Sequence, residues 1–178
     1  MNEQREKKAE IAAAPVLLRP FREEDEADCI RLLRDARVAE TYMLPDFPDD
    51  EAARPLFLRL AKLSRAEDRF VYAVERDGRF AGFLNDVSLS REKGEVELGY
   101  ALLPEQWNRS TMTAALAAAI DELFRLGFSV VRCGYFEGNE ASRRVMEKCG
   151  MTPTGETEEI EYRGRTRRCH FRAIRKTP

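Results

Sequence analysis

Histidine and paired cysteines are almost absent from this chain of 178 residues. The one histidine is His170, and the four cysteines, Cys29, Cys133, Cys149 and Cys169, form no Cys-X-X-Cys pair. A structural zinc site needs four such ligands at suitable spacing, so we expect no metal centre. A Ser-His-Asp triad is excluded as well unless His170 serves in it. We therefore predict that the cysteines are reduced, buried thiols.

Long apolar runs and an excess of one sign of charge are also lacking. No run approaches the roughly 18 apolar residues of a membrane-spanning helix, and the first ten residues are too charged for a signal peptide. The 30 basic and 32 acidic side chains give a net charge of −2, which provides no electrostatic case for nucleic-acid binding. We expect a cytoplasmic protein without membrane or nucleic-acid partners.

The composition is typical of a globular protein, since 43% of the residues are hydrophobic and 35% are charged. Residues 1–14 mix charge with alanine and predict a flexible tail, or a loose helical turn. Residues 15–178 are long enough for one domain with a sizeable core.

Short apolar runs separated by turn residues predict four strands in the first part of the chain, at 16–21, 70–75, 80–89 and 95–102. Helices are predicted at 23–38 and from Pro48 to Leu63. Asp77-Gly78 predicts a hairpin turn, so the last three of these strands should be antiparallel neighbours. The aromatic loop at 40–47 either docks on the core or forms a wall of a substrate site.

The second part predicts a helix at 113–127, a strand at 130–136, a helix at 142–149 and a hairpin of strands at 155–162 and 166–174. The strand at 130–136 should run parallel to the strand at 95–102, because a helix connects them. The predicted class is α/β, an α+β mixed sheet with mostly antiparallel N-terminal strands and a βαβ core.

Two helix starts carry the chemistry. Residues 102–113 lead from a strand through a polar loop into an alanine-rich helix. Such a loop exposes the first N–H groups of the helix, which attract anions, and this indicates a phosphate-bearing ligand. From the residues alone, an ordinary helix capped by Ser110 is the favoured interpretation. The second start is Asn139-Glu140-Ala141-Ser142, in which Asn139 is a good N-cap.

These elements resemble the GNAT superfamily of acyl-CoA-dependent N-acetyltransferases, and most of all the branch of ribosomal-protein N-terminal alanine acetyltransferases. The resemblance spans roughly residues 16–174. It is carried by Leu17-Leu18-Arg19-Pro20, Glu97-Leu98-Gly99-Tyr100, Pro104-Glu105-Gln106-Trp107 and, as the longest match, residues 139–151. It implies a GNAT-like fold, acetyl-CoA as co-substrate, and direct acetyl transfer to a primary amine, either a protein N-terminus or a small amine.

The loop departs from the family pattern, in which Gly-X-Gly-X-Gly or Ala follows the position of Trp107. Glycine allows positive φ and a close approach of backbone to phosphate. Here Asn108 tolerates a left-handed backbone, whereas Ser110 has to adopt helical or extended angles or accept a steric cost. The resemblance implies that CoA is held by Leu102, Leu103, Trp107, Asn108, Arg109, Ser110, Thr111, Met112, Thr113 and, on the pantetheine arm, Asn139.

The resemblance also implies two catalytic residues. Glu97 would accept the proton of the amine, directly or through water; its alternative is a solvent-side residue of an alternating strand. Ser142 would donate a proton to the departing CoA thiolate, and backbone N–H groups near Leu102 would polarise the thioester carbonyl. Further candidates on the acceptor side are Tyr100, Tyr135 and Asp86.

Two functions remain open at this point. The first is an acetyl-CoA-dependent N-acetyltransferase. The second is a degenerate CoA-binding or interaction module with little or no catalysis, which the absent loop glycines keep open. A monomer or a homodimer is expected, and the residues do not identify the acceptor amine.

Overall fold

The computed structural model describes residues 8–177 and contains one eight-stranded sheet. Its strands are β1 (Ile11–Ala13), β2 (Val16–Arg19), β3 (Val71–Arg76), β4 (Arg79–Ser90), β5 (Glu95–Leu102), β6 (Val130–Phe136), β7 (Thr152–Tyr162) and β8 (Arg165–Arg175). The helices are α1 (Glu26–Leu33), α2 (Ala36–Ala39), α3 (Asp50–Leu63), α4 (Thr111–Arg125) and α5 (Glu140–Lys148). The strand order is β1-β2-β3-β4-β5-β6-β8-β7.

The sheet is mixed, as predicted. Strands β1 to β5 pair antiparallel in chain order, β5 and β6 pair parallel across the α4 connection, and the β7–β8 hairpin joins β6 through β8. This confirms the predicted α/β class with antiparallel N-terminal strands and a βαβ unit.

The two faces of the sheet are covered by different helices. Side chains of α4 and α5, such as Leu116 and Met146, form one buried cluster with Val96 and Leu98 of β5. Side chains of α1, α2 and α3 form a second cluster, which includes Ala101 of β5 on the opposite face. The alternation of side chains along β5 thus divides its residues between two cores.

Two helical predictions differ from the structure. The predicted helix at 23–38 is a 3₁₀ turn at Glu23–Asp25 followed by α1 and α2. The interruption occurs because the Asp35 carboxylate accepts the Arg37 N–H and caps a new helix. In addition, Ile11–Ala13 is a strand on β2 rather than a tail or helical turn, while residues 1–7 lie outside the described part.

Strands β5 and β6 separate after a short parallel ladder. Their pairing runs only from Glu95 opposite Val130 to Leu98 opposite Cys133. Beyond that point β5 continues on β4 as far as Leu102, and β6 continues on β8 as far as Phe136. An opening therefore lies between the carboxyl ends of two parallel strands, the usual location of ligand sites in such sheets.

Within the described residues, no helix has the length and apolar character needed to cross a membrane.

Candidate active site

A cavity of about 1100 Å³ is lined by residues from both faces of the sheet around this opening. Tyr42 and Val87 line it on the side of α1–α3, and Ser142 and Thr113 line it on the side of α4 and α5. Because side chains alternate along a strand, Glu97 belongs to the first side and Tyr100 to the second. The cavity therefore connects the two faces through the gap between β5 and β6.

The loop before α4 has the backbone of a glycine loop without its glycines. Asn108 has φ = 58° and Ser110 has φ = 57°, both left-handed. Asn108 behaves as expected, and Ser110 accepts the steric cost. Ser110 occupies the N-cap position but makes no capping hydrogen bond with its side chain, so the interpretation as an ordinary serine cap is wrong.

The start of α4 leaves backbone donors available. Its first intrahelical hydrogen bond runs from the Ala114 N–H to the Ser110 carbonyl, at 3.0 Å. The amides of Thr111, Met112 and Thr113 precede it and have no partner in the helix. These three residues also line the cavity, so the N-terminus of a 15-residue helix faces it.

Arg76, at the end of β3, braces this loop, a role that no sequence pattern indicates. One guanidinium nitrogen, Nη1, donates to the Arg109 carbonyl at 2.6 Å and to Thr111 Oγ1 at 2.8 Å. These bonds fix the Arg109 peptide group, which lies between the two left-handed residues, and the side chain of Thr111, the first residue of the helix. Strain of this kind persists only where surrounding contacts over-determine the backbone.

Most of the predicted CoA-binding residues meet at the cavity. Leu102, Trp107, Asn108, Ser110, Thr111, Met112, Thr113 and Asn139 line it. Leu103 instead packs in the core beneath α1–α3 with 2% exposure. Arg109 does not line the cavity, and its carbonyl is taken by Arg76.

Ser142 lies within a short hydrogen-bonded chain. Its N–H donates to Asn139 Oδ1 at 3.2 Å, which confirms Asn139 as the cap of α5. Its hydroxyl lies 2.8 Å from the Tyr100 hydroxyl. Burial raises the pKa of Tyr100 far above its ordinary value, so the phenol stays protonated. Tyr100 is a candidate for the acceptor side by sequence, but it lies three positions along β5 from Glu97, and this odd spacing places the two side chains on opposite faces.

Glu97 is half-buried beside a cation. Its Oε2 lies 3.1 Å from Arg132 Nε. That N–H is not aimed at the carboxylate, so the contact is an ion pair and not a hydrogen bond. Burial raises the pKa of Glu97, the Arg132 charge lowers it, and Glu158 and Glu156 raise it further; the net direction is upward. A carboxylate with a raised pKa is a better proton acceptor than an exposed one.

The remaining acceptor-side candidates have structural partners. The buried Asp86 carboxylate pairs with Arg69 at 2.7 Å and accepts the Phe70 N–H at 2.9 Å. Tyr135 lines the cavity and stacks on His170 with 5.6 Å between ring centroids.

Among the described residues, no three histidine, cysteine or acidic side chains form a group that could hold a metal ion. The cysteines are free thiols; Cys29, Cys133 and Cys169 are buried, and Cys149 is partly exposed.

The α1–α3 side of the cavity is walled by apolar side chains. The Tyr42 ring meets Phe83 edge-on at 5.6 Å, and its hydroxyl donates to Asn85 at 2.8 Å. Met43 and Val87 line the cavity while being 51% and 58% exposed. Val87 is placed there by the bulge of β4 between Asp86 and Ser88, which sequence patterns do not reveal.

Comparison with known proteins assigns the family. Residues 16–152 match the model of the acetyltransferase (GNAT) domain. An uncharacterised N-acetyltransferase of Bacillus subtilis, YoaA, is 23% identical over 154 residues, which covers 85% of this chain and 87% of that protein.

Solved structures of acetyltransferases share the fold. The Salmonella typhimurium enzyme that modifies the N-terminal serine of ribosomal protein L7/L12 superposes with a TM-score of 0.81 at 18% identity, covering 95% of this chain and 100% of that one. The microcin C7 self-immunity acetyltransferase MccE, solved with acetyl-CoA and AMP, gives a TM-score of 0.81 at 14% identity, covering 92% and 93%. The chain therefore belongs to the GNAT family of acetyltransferases, as its sequence predicted.

Proposed function

We propose that this protein transfers the acetyl group of acetyl-CoA directly to a primary amine, with Glu97 and Ser142 as its catalytic residues. The observation that carries the proposal is the cavity through the sheet. It has a half-buried carboxylate on one face and a hydrogen-bonded pair of hydroxyls on the other. Direct transfer needs a proton acceptor on the amine side and a proton donor on the thiol side.

Acetyl-CoA would occupy the α4–α5 side. The open amides of Thr111, Met112 and Thr113 and the positive end of the α4 dipole suit a pyrophosphate. The pantetheine arm would follow the gap between β5 and β6 past Asn139. The thioester would then lie near Ser142 and near the backbone N–H groups at the end of β5.

The reaction balances with these groups. The amine nitrogen attacks the thioester carbonyl carbon, and the ammonium proton passes to Glu97, directly or through water. When the C–S bond breaks, the thiolate takes a proton from Ser142. Water then returns a proton to Ser142 and accepts the one held by Glu97, while Tyr100 stays protonated and orients the Ser142 hydroxyl across their 2.8 Å contact. A thiol has a pKa near 8.5, so this donation contributes modestly.

The acceptor side favours an amine with an apolar neighbouring group. Met43, Val87 and the Tyr42 ring supply apolar surface, and Glu97 and Glu158 favour a cationic amine. A protein N-terminus and a small amine both fit this description. The acetyl acceptor is therefore proposed only as a primary amine of this chemical type.

Calorimetric titration of acetyl-CoA followed by measurement of thiol release with a panel of amines tests the proposal. We expect Glu97→Gln to lower kcat by 10²–10⁴-fold, the usual contribution of a general base, without changing the Kd of acetyl-CoA. Glu95→Gln is the matched control, since Glu95 is exposed on the same strand and does not line the cavity. Binding without turnover, unaffected by Glu97→Gln, would favour the degenerate CoA-binding module.

A further inference from the structure

The loop that walls the acceptor side is not held by its own backbone. Within the part of the chain that the structure describes, residues 43–47 make no backbone–backbone hydrogen bond, and Thr41 and Tyr42 donate only back to Val38. Leu44 is nevertheless buried, with 4% exposure. A buried irregular segment needs other partners for its peptide groups.

The Tyr162 hydroxyl, at the end of β7, provides them. It accepts the Leu44 N–H at 3.1 Å. Its oxygen lies 2.9 Å from the Ala39 carbonyl, 3.2 Å from that of Leu44 and 3.4 Å from that of Tyr42. A hydroxyl has one proton, so it donates to one carbonyl at a time, and that of Ala39 is nearest. The Tyr162 hydroxyl thus contacts peptide groups of Ala39, Tyr42 and Leu44 at the same time.

The β7–β8 hairpin contacts the loop at two more points. Arg163 pairs with Asp46 at 2.6 Å, and Arg167 donates to the Glu40 carbonyl at 3.0 Å. These pairs involve exposed side chains and contribute less than the buried contacts of Tyr162. The hairpin tip therefore joins the beginning, middle and end of the loop.

We propose that Tyr162 is a positioning residue for the acceptor. Its hydroxyl holds residues 40–47 in place, so that Tyr42 and Met43 form the wall against which the amine binds. The inference rests on the proposed acetyl transfer, because it assigns this wall to the acceptor. Neither the loop before α4 nor the start of α5 takes part in these contacts, so the acetyl-CoA side should be unaffected.

Tyr162→Phe removes the hydroxyl and keeps the ring, which stacks on Phe136 at 5.9 Å. We expect the KM of the acceptor to rise about tenfold or more, because buried peptide groups lose their partner. The KM and Kd of acetyl-CoA should stay within about twofold of wild type, since a residue that acts on the acceptor alone leaves ground-state binding of the other substrate unchanged. Tyr72→Phe is the matched control: Tyr72 is 4% exposed and, among the described residues, its hydroxyl makes no hydrogen bond.

Amide hydrogen exchange at Leu44 reports on the loop without needing turnover. We expect it to be about tenfold faster or more in Tyr162→Phe than in wild type and in Tyr72→Phe, because local opening follows the lost bond. Unchanged exchange at Leu44 overturns the proposal, as does an unchanged acceptor KM or a loss of acetyl-CoA binding. A wild-type protein that transfers no acetyl group overturns the proposed function and the acceptor role together. In that case the rate of Leu44 exchange still tests whether Tyr162 holds the loop in place.

Discussion

At the scale of single residues, the site depends on side chains that take unusual backbone angles and on others that hold them there. The left-handed Ser110 is the clearest case, because a β-carbon at positive φ costs roughly 1–2 kcal/mol. The sequence showed that glycine was missing at this position, but it could not show which angle the chain would adopt. Tertiary contacts such as those of Arg76 decide that, and they join residues 33 and 35 positions apart.

Ser110→Gly should raise the free energy of unfolding by about 1 kcal/mol, because it removes the strain at φ = 57°. The serine side chain makes no capping bond that would be lost. Urea denaturation measures the change, and Asn108→Gly should give a smaller one, since asparagine tolerates this region. We also expect tighter acetyl-CoA binding; weaker binding would show that the serine hydroxyl contacts the ligand.

Arg76→Gln should weaken acetyl-CoA binding by about tenfold, because the loop carbonyl and the Thr111 hydroxyl lose a charged donor. Calorimetry measures the Kd. Arg79→Gln is the control, as Arg79 is exposed on the other side of the same turn. Equal affinities for both variants would contradict a bracing role of Arg76.

The proton acceptor should be visible in the pH dependence of kcat at saturating amine. The pKa of Glu97 is raised, and only its ionised form accepts a proton, so kcat should fall as the pH drops through a value above the ordinary 4.5. Arg132→Gln removes the charge that lowers this pKa, while Glu156 and Glu158, which raise it, remain. The acidic limb should therefore move to higher pH, whereas Arg125→Gln, at an exposed helix end, should leave it in place.

At the scale of elements, the divergence of β5 and β6 creates the cavity. The strands themselves were predictable from their apolar alternation, and so were the parallel pairing and the starts of α4 and α5. The length of the parallel ladder was not predictable, because it depends on how β4 and β8 compete for the same strands. The β4 bulge that presents Val87 and the docking of Tyr162 are equally long-range features.

The close approach of β4 to β5 makes Gly82 necessary at the edge of this opening. A β-carbon there would lie 2.1 Å from the Ala101 carbonyl oxygen. Gly82→Ala should therefore destabilise the protein by about 3 kcal/mol or more, as backbone has to move. Gly99→Ala is the comparison: its β-carbon would meet only side chains, of Val87 and Tyr42, at 3.1 and 3.2 Å. We expect a loss of about 1 kcal/mol there, both values being measurable by urea denaturation.

At the scale of the whole molecule, a buried ion pair ties the first part of the chain to the helices on one face. Arg19 of β2 holds both oxygens of Asp25 at 2.7 and 2.8 Å, and the two residues are 1% and 2% exposed. Arg19 also pairs with Glu75 of β3. The motif containing Arg19 carries part of the family resemblance, and its partners explain it as a structural tie whose residues do not line the cavity.

Asp25→Asn should reduce the free energy of unfolding by about 3 kcal/mol, because it leaves the Arg19 charge buried with one carboxylate fewer. The Kd of acetyl-CoA should not change. Asp28→Asn is the control, since Asp28 pairs with Arg31 at the surface and should contribute less than about 1 kcal/mol. A similar loss for both variants would contradict the role assigned to the buried pair.

The brace on the loop before α4 has a consequence for how such chains diverge. Once Arg76 holds the turn from outside, the two left-handed positions no longer require glycine, and substitution there becomes tolerable. A sequence pattern that requires glycine at these two positions would not match this chain, although its backbone adopts the positive φ angles that glycine allows there. In lineages that carry an equivalent arginine, we expect the loop to drift in sequence while its dihedral angles persist.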